Sequence, residues 1–177
     1  MFNFPLIPPR DFVPKMPSIG DKLLREKIEK IYDTVAVHNA TPKTGSVVYC
    51  NLAIGAEHSG IYIGKGKIVH LNGDGNIEKV DAETFVSRLG GFNPAVTIYC
   101  PQNKNGEIMG FADAAKRARI EIGHTRDYNL AWNNCHTFTY YCLTGDTSLF
   151  DGTFTNLEFL LSNRYDFSKW RASGLGY

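Results

Sequence analysis

The spacing of apolar positions changes along this chain, from helical near the start, to strand-like in the middle, to helical again in the last third. From Asp21 to Tyr32 the apolar residues Leu23, Leu24, Ile28, Ile31 and Tyr32 recur at helical spacing with Lys, Arg and Glu between them, which predicts an amphipathic helix. After the turn signal Thr41-Pro42-Lys43-Thr44-Gly45 come β-rich runs at 46–52, 58–63, 67–72, 76–80 and 95–100. The links Gly64-Lys65-Gly66 and Gly73-Asp74-Gly75 are short and carry glycine, so the runs are expected to form an antiparallel meander of about five strands. Asp81 suits the N-cap of a short helix over 82–89, between the fourth and fifth strands. Helix-forming stretches follow at 111–122, closed by Gly123, and at 134–143, closed by Gly145, with a short one around 156–161. The expected fold class is α+β, an antiparallel sheet packed against helices.

Prolines at 5, 8, 9, 14 and 17 prevent residues 1–19 from continuing a helix or a central strand, and these residues read as an extended arm. The 177 residues, 43% of them hydrophobic, suit a single domain with one sizeable core, its centre at 45–145 and a C-terminal extension at 146–177. Lys and Arg number 19 against 18 acidic residues, and a net charge of +1 supplies no field to draw in nucleic acid. The prolines interrupt any leader-like apolar run, and no stretch has the roughly 18 to 20 apolar residues of a spanning helix. A cytoplasmic protein is expected, with peripheral membrane contact left open. Cys50, Cys100, Cys135 and Cys142 have no CxxC spacing, which favours reduced thiols.

Two histidines fall in one hairpin. On the first strand His58, Gly60 and Tyr62 share a face; on the second Ile68, His70 and Asn72 do. A two-residue loop, Lys65-Gly66, would pair residues whose numbers sum to 131 and turn the histidines to opposite faces. A three-residue loop, Gly64-Lys65-Gly66 with a bulge, makes the sum 130, sets His70 opposite Gly60 and Asn72 opposite His58, and makes the histidines diagonal neighbours. The three-residue loop is expected, with Gly60 leaving room for an imidazole to lean across.

Cys135 follows the Asn-rich stretch Tyr128-Asn129-Leu130-Ala131-Trp132-Asn133-Asn134 and precedes the apolar Phe138, Tyr140, Tyr141 and Leu143. With Asn133 or Asn134 as N-cap, Cys135 stands in the first helical turn, where unpaired N–H groups and the helix dipole favour a thiolate and can hold an oxyanion. Cys50, Cys100 and Cys142 read as small buried hydrophobes. His136 points about 100° away from Cys135 on a helix and reads as a supporting neighbour rather than the base; His38 and His124 read as incidental. A zinc site built from Cys135, His58 and His70 is the rival use of these residues, but the close paired spacing of structural zinc ligands and a marked fourth ligand are both missing.

The hairpin His58-Ser59-Gly60-Ile61-Tyr62-Ile63-Gly64-Lys65-Gly66-Lys67-Ile68-Val69-His70-Leu71, followed far downstream by Asn134-Cys135-His136-Thr137-Phe138, resembles the lecithin:retinol acyltransferase-like (LRAT-like) proteins, circularly permuted NlpC-type relatives of papain. The resemblance covers about Gly45 to Gly145. It implies Cys135 as nucleophile, His58 as base and His70 as the polar residue that orients His58, with no cofactor or metal. It departs in two places: His136 stands where the family commonly has Glu, and the membrane anchor that eukaryotic members often carry at the end has no counterpart.

The expected chemistry is acyl transfer or hydrolysis through a thioester, on an acyl-bearing small molecule or lipid. An amidase or peptidase acting on peptide or cell-wall material is the alternative within enzymes. A binding module that keeps the fold without catalysis is the alternative outside them.

Overall fold

The computed structural model describes residues 40–52, 56–87, 97–129, 134–148 and 152–175. The arm at 1–19, the helix expected at 21–32 and His38 lie outside the described residues.

Among the described residues six strands form one antiparallel sheet: β1 (Val47–Leu52), β2 (Ala56–Gly64), β3 (Lys67–Leu71), β4 (Ile77–Asp81), β5 (Ile98–Asn103) and β6 (Phe167–Ala172). Their order is β4-β3-β2-β1-β5-β6. The expected α+β class holds, and β1 to β4 are the expected meander. β5 departs from it, pairing with β1 (Tyr49 opposite Tyr99, Cys50 opposite Ile98) rather than with β4. The reason is length: residues 82–97 separate β4 from β5, far beyond a hairpin loop, and they begin with the helix α1 (Ala82–Val86). β6 falls in the stretch read as a tail and pairs along β5 from Tyr99–Ala172 to Asn103–Phe167. Its half-exposed, charged sequence Phe-Ser-Lys-Trp-Arg-Ala suits a sheet edge and hides the strand from a hydrophobicity count.

Strand alternation gives the sheet two apolar faces. Val47, Ile61, Val69, Leu71 and Ile77 lie on one, under α2 (Ala112–Glu121), α3 (Cys135–Thr144) and α4 (Phe154–Arg164), which contribute Ala114, Ala118, Phe138, Cys142, Leu143, Leu157 and Leu161. Val48, Cys50, Tyr62, Ile68, Val80, Ile98 and Cys100 lie on the other, against Ala82 and Phe85 of α1. Each large side chain fully buried here stabilises the fold by about 1.5–3 kcal/mol relative to exposure. Asp81 caps α1 as its sequence suggests, its Oδ1 accepting the Thr84 N–H at 2.9 Å.

The β2–β3 turn differs from expectation. Gly64 pairs with Lys67, so the loop is the two residues Lys65-Gly66, and both have positive φ (52° and 68°) as a type I′ turn requires. That turn alone would give a pair sum of 131. A bulge between Tyr62 and Gly64 adds one residue to β2, so Tyr62 pairs with Ile68 and Ile61 with Val69, a sum of 130. The register near the histidines is therefore the expected one, reached by a tighter turn and a bulge together. The carbonyl of the bulged Ile63 accepts a hydrogen bond from Arg119 of α2.

Candidate active site

Asn134 is the N-cap of α3. Its Oδ1 accepts the N–H groups of His136 (2.9 Å) and Thr137 (3.1 Å), the Thr137 hydroxyl accepts the Asn134 N–H (2.9 Å), and the Asn134 Nδ2 donates to the Gly152 carbonyl (2.8 Å). Cys135 is thereby held as the first residue of a helix whose far end closes on left-handed Gly145. The thiol is buried and meets the backbone N–H and hydroxyl of Ser59 on β2. Burial pushes its pKa up; the two Ser59 donors and the N–H groups of Cys135 and His136 pull it back, without cancelling the rise. The helix start therefore does not leave a standing thiolate, contrary to the sequence expectation, because desolvation of a nearly closed site outweighs the donors.

The approach of a helix-borne thiol to a strand N–H has a structural cause. The Tyr62 N–H donates to Ser46 on the β1 side, so by alternation the Ser59 N–H points toward β3. Among the described residues the β2–β3 ladder runs no further than Ile61–Val69 in that direction. Beyond this pair the Ser59 N–H has a thiol, rather than a carbonyl of β3, in front of it.

His58, the residue before Ser59, carries its ring to the other face, where Nε2 lies 2.5 Å from His70 Nδ1. Phe85 of α1 backs both rings, with centroids 4.8 Å from His58 and 5.4 Å from His70. Gly60 is tightly enclosed: a Cβ there would stand 2.8 Å from the Val69 carbonyl oxygen and 3.1 Å from His70 Cβ. These two ring nitrogens face each other, so each is engaged by the other imidazole. Cys50, opposite His58 on β1, is close enough to Cys135 for the two thiols to resist ionising together, and burial pushes Cys50 up to about 12. Cys100 is likewise pushed up to about 12 and Cys142 is raised, in keeping with inert core thiols.

The structure places three expected supporting residues as follows. Asn72 accepts with its Oδ1 the N–H groups of Asp74 and Asn76 (2.9 Å each), closing the β3–β4 turn, and its Nδ2 donates to Glu78 Oε1 at 2.9 Å. Tyr62 lies in the core with its hydroxyl accepting the Gly66 N–H at 3.2 Å, so it holds the hairpin turn. His136 is buried between α3 and β2, its Nδ1 2.9 Å from Ser59 Oγ, and desolvation lowers its pKa to about 4, which keeps it neutral. Ser59 Oγ also lies 3.0 Å from Thr139 Oγ1, whose hydroxyl donates to the Cys135 carbonyl at 2.9 Å.

The sequence reading missed Ser59 and Glu78. Glu78 lies opposite His70 on β4 with Oε1 3.4 Å from His70 Nε2. A serine between His58 and the apolar Ile61, on the face that turns toward the helices, was the available signal for the first. His124 is exposed beside the Glu121 carboxylate at 3.6 Å, as its loop position suggested.

A comparison with protein families matches residues 40–148 to the family described as lecithin retinol acyltransferase. No curated protein matches the chain at a significant level.

Proposed function

Because the chain belongs to the lecithin retinol acyltransferase family, we propose that it is a thiol enzyme in which Cys135 takes an acyl group from an ester, His58 receives the thiol proton and His70 orients His58. The observation that carries this reading is the meeting of the buried Cys135 thiol, at a capped helix start, with Ser59, whose chain neighbour His58 is held ring to ring by His70. The raised thiol pKa supports proton transfer at the moment of attack rather than a resting ion pair.

In the first step the sulfur attacks the acyl carbonyl as its proton passes to His58. The tetrahedral oxyanion faces the Cys135 N–H, the one of the first three helical N–H groups that Asn134 does not engage. Collapse expels the alcohol, which takes the proton back from His58, and leaves a thioester. Water or a second acceptor, deprotonated by His58, then attacks the thioester and expels the Cys135 sulfur, which takes that proton from His58 to restore the thiol.

Family membership favours a lipid acyl donor. Among the described residues no helix is long and apolar enough to cross a membrane. The test is incubation of wild type and Cys135→Ala with an activated acyl ester, followed by intact mass. An adduct on the wild type alone supports the nucleophile; equal labelling of both refutes it, and the absence of any adduct on either favours a binding module. Parallel incubation with phospholipid and with peptide donors then assigns the acyl source.

A further inference from the structure

We infer that Glu78 is a positioning residue for the chemistry proposed above, deciding through His70 which nitrogen of His58 is left to take the thiol proton. The inference rests on that reading for its catalytic meaning, and on the contacts between these side chains for its geometry. Three polar groups stand in line behind His58. His70 Nδ1 is 2.5 Å from His58 Nε2, Glu78 Oε1 is 3.4 Å from His70 Nε2, and Asn72 Nδ2 is 2.9 Å from the same carboxylate oxygen. His70 and Glu78 are directly opposed across β3 and β4, so the contact is built into the sheet. Asn72 cannot be reversed, because its Oδ1 already accepts two backbone N–H groups; its Nδ2 must be the group that faces Glu78.

Which nitrogen carries hydrogen along this line follows from counting protons, the 3.4 Å His70–Glu78 approach being an electrostatic contact rather than a hydrogen bond. A neutral imidazole has one N–H. Between His58 and His70 alone, two arrangements are available: either His58 Nε2 carries hydrogen and donates to His70 Nδ1, or His70 Nδ1 donates to a bare His58 Nε2. In the second arrangement the His58 proton sits on Nδ1 and its lone pair is occupied by His70, so His58 cannot act as a base. A carboxylate beside His70 Nε2 holds the His70 proton there, leaves Nδ1 as an acceptor, and selects the first arrangement. His58 Nδ1 then keeps its lone pair. His70 is fully buried, so water does not compete for its ring; the Glu78 side chain is 37% exposed, which weakens its hold without removing it.

Nitrogen-15 NMR of the imidazoles, at a pH where both rings are neutral, reads the tautomers directly. In the wild type both His58 and His70 are expected as the Nε2–H form. Glu78→Ala should convert a substantial fraction of His58 to the Nδ1–H form and slow acyl-adduct formation by roughly tenfold or more, since a wrong histidine tautomer costs up to about 10⁴-fold in a fully buried triad. Glu78→Gln keeps an acceptor oxygen oriented by Asn72 and should retain the wild-type tautomers and most of the rate. Glu78→Val, suited to a strand, replaces the alanine variant if that fails to fold. Unchanged tautomers in Glu78→Ala or Glu78→Val overturn the inference. Failure of the Cys135 reading leaves the NMR result standing, so the two can fail separately.

Discussion

Cys135 is held between two opposed influences, and Ser59 is the residue that balances them. Burial raises the thiol pKa, and the Ser59 N–H and hydroxyl lower it. Removing the hydroxyl disfavours the charged form, so Ser59→Ala should move the pH midpoint of Cys135 alkylation by iodoacetamide upward by about one unit, the equivalent of one hydrogen bond to a charged group. Mass spectrometry of the Cys135 peptide across pH measures this, and an unmoved midpoint would contradict it. At this scale the sequence revealed the His58–His70 contact and the Asn134 cap, both of which depend on local spacing. Ser59 escaped because its partners His136 and Thr139 lie on a helix 77 and 80 residues on, a distance only tertiary packing closes. Glu78 was within reach of the same pairing arithmetic, applied to the β3–β4 hairpin instead of β2–β3.

The histidine hairpin shows how an element can be read correctly in outcome and wrongly in cause. The register expected from a three-residue loop is produced by a type I′ turn and a bulge, each shifting the pairing by one. Sequence arithmetic fixes only their sum. The turn itself is strained, since Lys65 has φ 52°, a region that Asn and Gly occupy more readily than Lys. Lys65→Asn creates the Asn-Gly pair that type I′ turns prefer and should stabilise the protein by about 0.5–1 kcal/mol, measured by urea unfolding, with acyl-adduct formation unchanged. A destabilised variant would show that the side chain of Lys65 matters more than its backbone.

For the whole molecule, His136 links stability to pH. Its folded pKa of about 4 lies below the roughly 6.5 of an unfolded histidine, so the unfolded chain takes up a proton that the folded one refuses. The contribution is intact above pH 6.5 and lost as pH falls toward 4. Between pH 7 and 5 the wild type should lose about 2 kcal/mol through this group, and His136→Gln, polar but uncharged, should show a correspondingly flatter dependence in urea unfolding. Equal slopes would contradict it. The α+β class and the β1–β4 meander were legible from period and turns. The placing of β5 and β6 was not, because edge pairing depends on which strand edge remains open once the meander is closed.

That placing has a consequence for how the chain is made. β5 leans on β1 with one edge, while its other edge waits for β6, and residues 104–166, which include α2, α3 and α4, are synthesised in between. Throughout that interval a newly made chain carries an unmatched row of β5 backbone groups, the kind of edge to which another nascent chain can add.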